Sequence, residues 1–332
     1  MPPQSPARIF RVPRGHQPLP IRDGLNPSRV RLPDDSAPLT AAEFLRTCIE
    51  TQRYRHPEDN EQALLARFAQ HDVVIGPRFH FAQPDDLVQP GEDLWFYRIP
   101  APESPVPYEC EIVHEDAHIL VIHKPHFLAT MPRSKHITET ATVRMRRMTG
   151  INELAPAHRL DRLTAGLLLF TKQRKLRGAY QNLFSNKLVT KTYEAISTTT
   201  SIAPGTHWHS RILKEHGTIC SYEAAGEPNA HTEVLAVEPL GCSLAVRLQQ
   251  QHDLDNADLA RYILRPHTGK THQLRVHMNS AHAPILGDPF YPVVLPEDVE
   301  DMRIPMHLTS IGMEFIDPIS GKPRKFSTHG TS

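Results

Sequence analysis

A single carboxylate placed among cations is the first candidate for chemistry. In Ala157-His158-Arg159-Leu160-Asp161-Arg162-Leu163-Thr164-Ala165-Gly166-Leu167-Leu168-Leu169-Phe170, Asp161 stands between two arginines, just ahead of a small-residue turn and an apolar run. Such a turn sets Asp161 at the lip of a sheet, where a side chain can meet a ligand. Flanking positive charge favours the ionised form, the form a nucleophile requires. An aspartate that only caps a turn and pairs with an arginine would leave the same residues, so this segment alone does not choose. The 21 histidines raise a second possibility, because His267, His272, His277 and His282 recur every five residues. On a helix that interval advances about 500°, so successive imidazoles point about 140° apart and cannot converge on one ion. No metal site is expected, and without a Gly-x-Gly-x-x-Gly or Walker loop no nucleotide cofactor either.

The elements that must position Asp161 are strands and helices in irregular order. Strand patterns fall at His118–His123, Gly166–Phe170, Leu188–Ser197, Thr232–Glu238, Ser243–Leu248 and Ala260–Arg265, with helical patterns at Thr138–Met148, Arg174–Phe184 and Thr271–Ser280. This arrangement predicts an α+β fold with a mixed, mostly antiparallel central sheet flanked by helices. Ahead of it, residues 1–37 are rich in Pro, Arg and Asp and read as an extended or disordered arm. Structure is expected to begin at Thr40, where Thr-Ala-Ala-Glu forms a capping-box pattern before Phe44, Leu45, Cys48 and Ile49. A second helix over Glu58–Ala69 and strands at Val73–Ile75 and Leu94–Ile99 complete a small α/β module over 38–100. A proline-rich linker, 101–107, then leads to the main domain, 108–328.

The chemistry-bearing segments resemble those of the RluA-type RNA pseudouridine synthases. His158-Arg159-Leu160-Asp161-x-x-Thr164-x-Gly166-Leu167 is similar to the family's catalytic motif, Lys191-Thr192-Tyr193-Glu194-Ala195 to its Lys-x-Tyr-x-Ala strand, and His267–Met278 with Pro284–Pro289 and Tyr291 to its third block. The three follow in the family's order, and the resemblance covers about Tyr108–Phe326, with Ile119–Pro125 fitting the opening strand. Ala165, Lys270 and His123 depart from the usual serine, arginine and aspartate, and none of the three positions carries an assigned chemical role. The resemblance implies an isomerase that needs no cofactor. Asp161 would be its catalytic carboxylate, and Arg275, which follows Gln273-Leu274, would pair with it. Tyr193 would stack on the target base, Arg159 would fill the gap of a flipped nucleotide or hold phosphate, and Leu274 would support the site. It also suggests an RNA-binding role for 38–100, which lacks the basic helix of a strong RNA binder.

Net charge is zero, yet Lys124–His216 carries sixteen Lys and Arg against five Asp and Glu. A basic middle with acidic flanks suits a protein that grips a polyanion on one face. The expected partner is ribosomal or transfer RNA, with no obligate protein partner and a monomeric state. A non-catalytic RNA-binding or ribosome-assembly factor on the same fold is the alternative. Four scattered cysteines fit a reducing compartment, and no apolar run approaches the roughly 20 residues of a membrane span. Residues 1–22 hold four arginines and no acid, as a transit peptide does, but prolines at 2, 3, 6, 13, 18 and 20 oppose the amphipathic helix it needs. A soluble cytoplasmic protein is expected.

Overall fold

A computed structural model describes residues 10–13, 15–198, 201–255, 257–296 and 300–328. The chain divides into two units: residues up to Pro105 together with Met131–Asn152, and Val106–Thr130 together with everything from Glu153 on. No helix among the described residues is long and apolar enough to cross a membrane.

In the first unit, β1 (Ser28–Arg31), β2 (Leu39–Thr40), α1 (Ala41–Glu50), α2 (Glu61–Ala69), β3 (Val73–Gly76), β4 (His80–Phe81), β5 (Leu87–Val88), β6 (Asp93–Phe96) and α3 (Ala141–Thr149) follow along the chain. The capping box at Thr40 forms: its side chain accepts from the Glu43 amide, and Glu43 accepts in return from the Thr40 amide. That closes two of the donors a helix start leaves open. Asn60 caps α2 by one bond alone, its Oδ1 accepting from the Ala63 amide. Both helices lay Phe44, Leu45, Leu64 and Phe68 against Val73, Ile75, Leu94 and Phe96 of the antiparallel sheet β1-β6-β3-β4. Regular structure begins earlier than Thr40, at Ser28. Val30 of β1 is flanked by Arg29 and Arg31, an edge-strand pattern whose single apolar residue carries little signal. The arm is tied down elsewhere as well, for Arg22 grips Asp72 through two bonds of 2.6 Å. Its first nine residues and Arg14 lie outside the described residues.

The second unit holds β7 (Glu111–Glu115), β8 (Ile119–Lys124), β9 (Ala155–Pro156), β10 (Ala165–Thr171), α4 (Arg177–Ser185), β11 (Thr190–Thr198), β12 (His207–Leu213), β13 (Tyr222–Ala224), β14 (Ala230–Pro239), α5 (Cys242–Gln251), β15 (Leu259–Pro266), α6 (Gln273–Ser280), β16 (Leu308–Ile316) and β17 (Pro323–Ser327). Nine strands run in the order β13-β12-β14-β15-β11-β16-β10-β8-β7, with β17 on β16 and β9 on β10. Among the described residues every pairing is antiparallel except β10 with β16, so the sheet is mixed and mostly antiparallel, as expected. All seven residues of β10 are buried. A strand covered on both faces reads as a continuous apolar run. Tyr180 and Leu183 of α4 pack with Leu167 and Leu169 of β10 in one core cluster.

Ser243–Leu248 is a correction: it is helical, within α5. Leu244, Val246 and Leu248 alternate as a strand would, but the side that packs holds Leu244 and Leu248, four apart, with Ile196 and Leu259. Val246 stays 50% exposed. The i, i+4 pair decides the conformation.

Gly166 ties β10 to β16 at the end nearest Asp161. Its φ is +107°, and a Cβ there would lie 2.2 Å from the Ser310 carbonyl oxygen. Since that oxygen is backbone in the neighbouring strand, nothing flexible can yield. Gly166→Ala is expected to destabilise the protein by about 2–4 kcal/mol, through strain at positive φ and the clash together. A urea melt checks it, and an unchanged midpoint would contradict the close approach.

Candidate active site

Asp161 lies in the loop between β9 and β10, and the loop is fixed from beneath. Thr130 Oγ1 donates to the Leu160 carbonyl at 2.8 Å and accepts from the Leu160 amide at 3.1 Å. After Asp161, the Thr164 amide closes a turn onto the Asp161 carbonyl at 3.1 Å. The Lys124 ammonium, fully buried at the end of β8, donates to the carbonyls of Pro125, Leu128 and Arg162 at 2.8, 2.8 and 3.2 Å. Three donors thus meet three carbonyls, which offsets part of the cost of burying a charge. Burial still pushes Lys124 down to about 7.

Neither flanking arginine pairs with Asp161. Arg162 turns to Glu300, and Arg159 is exposed. The carboxylate is 38% exposed, and the titratable group that approaches it is His272, with Nε2 4.0 Å from Oδ2. His272 occupies the N-cap of α6 in the left-handed region, φ +56°, and its Nδ1 lies 3.1 Å from the Tyr291 hydroxyl. Burial, helped by the charge of Arg275, pushes His272 down to about 4, so at neutral pH it faces Asp161 uncharged.

Arg275 does not pair with Asp161, which corrects the expectation drawn from the resemblance. Its Nε and Nη2 donate to the two oxygens of Asp288 at 2.7 and 2.6 Å, with the arginine side chain 2% exposed and the carboxylate 0%. A guanidinium that deep needs a two-pronged acceptor without access to water, which the half-exposed Asp161 is not. Phe290 and Tyr291 flank the guanidinium, 4.9 and 5.3 Å from their ring centroids. Burial works against its charge, but the bonds to Asp288, with the field of Asp161 added, raise its pKa overall. Asp161 therefore senses Arg275 at a distance, without a hydrogen bond.

Tyr193 stands on β11 at a register shift between Thr192 and Tyr193 in the pairing with β16. Such a bulge re-aims a side chain. Burial, with the charge of Asp161, pushes its hydroxyl up to about 12, so it stays protonated. One pocket is lined by all five residues singled out from the sequence, Arg159, Asp161, Tyr193, Leu274 and Arg275. The sequence reading missed His272 as a neighbour of Asp161, and Lys191 and Lys270 as cations of the same pocket. All three stood in the quoted segments, where only a fold could show which way they point. Gln273 holds the far wall: its amide donates to the His231 carbonyl and Thr232 Oγ1 at 2.9 Å each, and its carbonyl accepts from Thr268 Oγ1 and the Lys270 amide.

The histidines at five-residue spacing diverge. His267 bonds Glu233, His272 faces Asp161, and His277 bonds Thr232 and Ser210. Burial depresses a larger set, pushing His158 and His307 down to about 3, and His126, His272 and His277 down to about 4. All five are neutral in the fold, whereas the unfolded chain takes up protons near pH 6.5. Their contribution is therefore complete above about pH 6.5 and is lost as pH falls from there towards 4 and 3, at up to about 1.4 kcal/mol per pH unit for each. Urea unfolding at pH 7.5 and pH 5 is expected to show a clearly lower midpoint at pH 5. Equal midpoints would mean these imidazoles are solvated.

A profile for RNA pseudouridylate synthase matches residues 118–280. The ribosomal large subunit pseudouridine synthase D of Zymomonas mobilis is 28% identical over 68% of this chain and 71% of its own length. The tRNA pseudouridine synthase C of Vibrio parahaemolyticus is 30% identical over 55% of this chain and 73% of its own. The chain belongs to the RluA-type RNA pseudouridine synthase family. As a pseudouridine synthase it is an isomerase. The matched span contains Asp161, Tyr193 and Arg275 but stops short of Asp288. The solved human RNA pseudouridylate synthase domain containing 1 superposes with a TM-score of 0.53 at 20% identity, over 69% of this chain and 85% of that one, a likeness of fold.

Proposed function

We propose that this pseudouridine synthase converts uridine to pseudouridine in a ribosomal or transfer RNA, with Asp161 as its catalytic carboxylate. The carrying observation is a half-exposed carboxylate, unbonded to either neighbouring arginine, in one pocket with Tyr193, Lys191 and Arg275. The reaction breaks the bond from ribose to N1 of uracil, turns the base, and rejoins it through C5; a proton leaves C5 and one is gained at N1. Attack on the anomeric carbon, attack at C6 and removal of a ribose proton all require an ionised carboxylate with a free lone pair. An aspartate already clasped by a guanidinium would be a poorer nucleophile than one held only in its field.

Tyr193 offers uracil a flat, neutral face. Stacking of a base on an aromatic ring is worth roughly 1–3 kcal/mol. Tyr193→Ala is expected to lower kcat/KM by roughly 5- to 150-fold, while Tyr193→Phe keeps the face and most of the rate. Equal losses in the two would move the role from the ring to the hydroxyl. Arg159, exposed at the rim, with Lys191 and Lys270 supplies charge for the phosphates of a flipped nucleotide. The overall reading is tested by tritium release from transcripts labelled at C5 of uridine, with pseudouridine mapped across cellular RNA in the presence and absence of the gene. Binding and a growth phenotype without tritium release would replace the enzyme by an RNA-binding assembly factor.

A further inference from the structure

On the exposed side of the sheet, β12 and β14 bring three imidazoles together. The antiparallel register sets His209 opposite His231 and His207 opposite Glu233, so all four share one face, while Trp208, Ser210, Thr232 and Ala230 take the other. That other face is covered by α6, whose His277 bonds Ser210 and Thr232. His207 and His209 are exposed, and His231 is half-buried. One nitrogen of each ring lies within 4.8 Å of one nitrogen of each of the others. The tightest contact, His207 Nδ1 to His231 Nε2, is 3.0 Å.

We propose that His207, His209 and His231 form a binding site for a divalent first-row cation of the Zn2+ type, with water in the fourth position. Metal–nitrogen bonds of about 2.0–2.1 Å give a tetrahedron with edges of roughly 3.3 Å. One edge is close to that already, and the others close by rotation of the exposed His207 and His209, the latter swinging out of its stack on His231. Imidazole donors suit Zn2+, Ni2+ and Cu2+ rather than Mg2+ or Ca2+. The third ring is held for the purpose. His231 is sandwiched between His209 and His267, with centroids 4.0 and 4.3 Å away and planes within 18° and 17° of parallel. His267 in turn is oriented by Glu233 at 3.2 Å.

The site is built into the support of the active-site wall. The backbone amide of His231 donates to Thr268 Oγ1 at 2.9 Å, and its carbonyl accepts from Gln273. Thr268 and Gln273 both line the pocket of Asp161. A cation that joins β12 to β14 would therefore stiffen the strand from which that wall hangs, without touching the reacting atoms.

The test uses the full chain without an affinity tag, stripped with a chelator and titrated with ZnCl2 by calorimetry, with Co2+ as a spectroscopic probe. The expected result is about one equivalent bound, a visible band of tetrahedral intensity with Co2+, and a Tm raised by saturating Zn2+. Affinity should fall more than about tenfold in His209→Ala and in His207→Ala. Both positions are exposed, so these variants are expected to fold. His252→Ala, which alters an unrelated pair with His307, should bind as wild type does. Absence of binding in the wild type, or undiminished affinity in His207→Ala/His209→Ala, overturns the proposal. Tritium release by the stripped enzyme gives an independent readout, so failure of the metal site leaves the reading of Asp161 unaffected.

Discussion

Asp161→Asn is expected to lower uridine isomerisation by about 10⁴-fold or more, with RNA binding retained. The amide matches the carboxylate in size, but it has neither the charge nor the lone-pair basicity that any route through this residue demands. A loss of that size corresponds to about 5.5 kcal/mol of transition-state stabilisation. The fold should be spared, because Asp161 makes no side-chain hydrogen bond among the described residues, and the imidazole that faces it, His272, is 4.0 Å away. Single-turnover tritium release is the measurement, and activity within tenfold of wild type would remove Asp161 from the chemistry. A fall in affinity with intact turnover would instead assign it to substrate binding.

Asp288→Ala carries the second large effect, and on stability. Arg275 donates two hydrogen bonds to a carboxylate that water does not reach, so deleting Asp288 strands a buried guanidinium. Breaking such a pair on one side costs about 3–5 kcal/mol, which a denaturant melt will show. Removing both partners is a different experiment. Arg275→Met with Asp288→Leu leaves no unpaired charge and should recover much of the lost stability. It should not recover turnover, because the field that Arg275 exerts on Asp161 is gone. If the double variant regains both, Arg275 is structural alone.

The pairing of Arg275 marks where sequence reading stops. Asp161 and Asp288 both stand in the segments that resemble the family, and either could have been the partner of an arginine. What selects Asp288 is burial, a property of the folded chain that no short motif carries. Charge counting reached its limit for a similar reason. Among the cations of the basic middle stretch, Arg147, Arg162 and Lys172 are bonded to Asp23, Glu300 and Glu115, all outside that stretch. Its apparent excess of positive charge therefore overstates what faces a polyanion.

Strong local signals served better. The leucine-rich β10, the capping box at Thr40 and the helix over Ala141–Thr149 were legible because each element is defined by its own residues. β12 was not, since His-Trp-His-Ser-Arg-Ile-Leu lacks the apolar alternation of a strand and is specified by its neighbours. With it went the histidine trio, for a two-residue spacing means a shared face only once the strand is known. The five residues proposed for the active site do line one pocket, because the motifs containing them sit at the ends of elements that the sheet order draws together.

The pairing of β10 with β16 has a consequence for how the polypeptide is made. Residue 166 cannot gain its partner at 310 until that part of the chain has left the ribosome. At 5–20 residues per second the wait is roughly 7–30 s, during which a leucine-rich strand keeps the Ala165–Gly166 end of one edge unpaired. Nascent chains arrested before Leu308 should therefore recruit holdase chaperones, and should release them once β16 emerges.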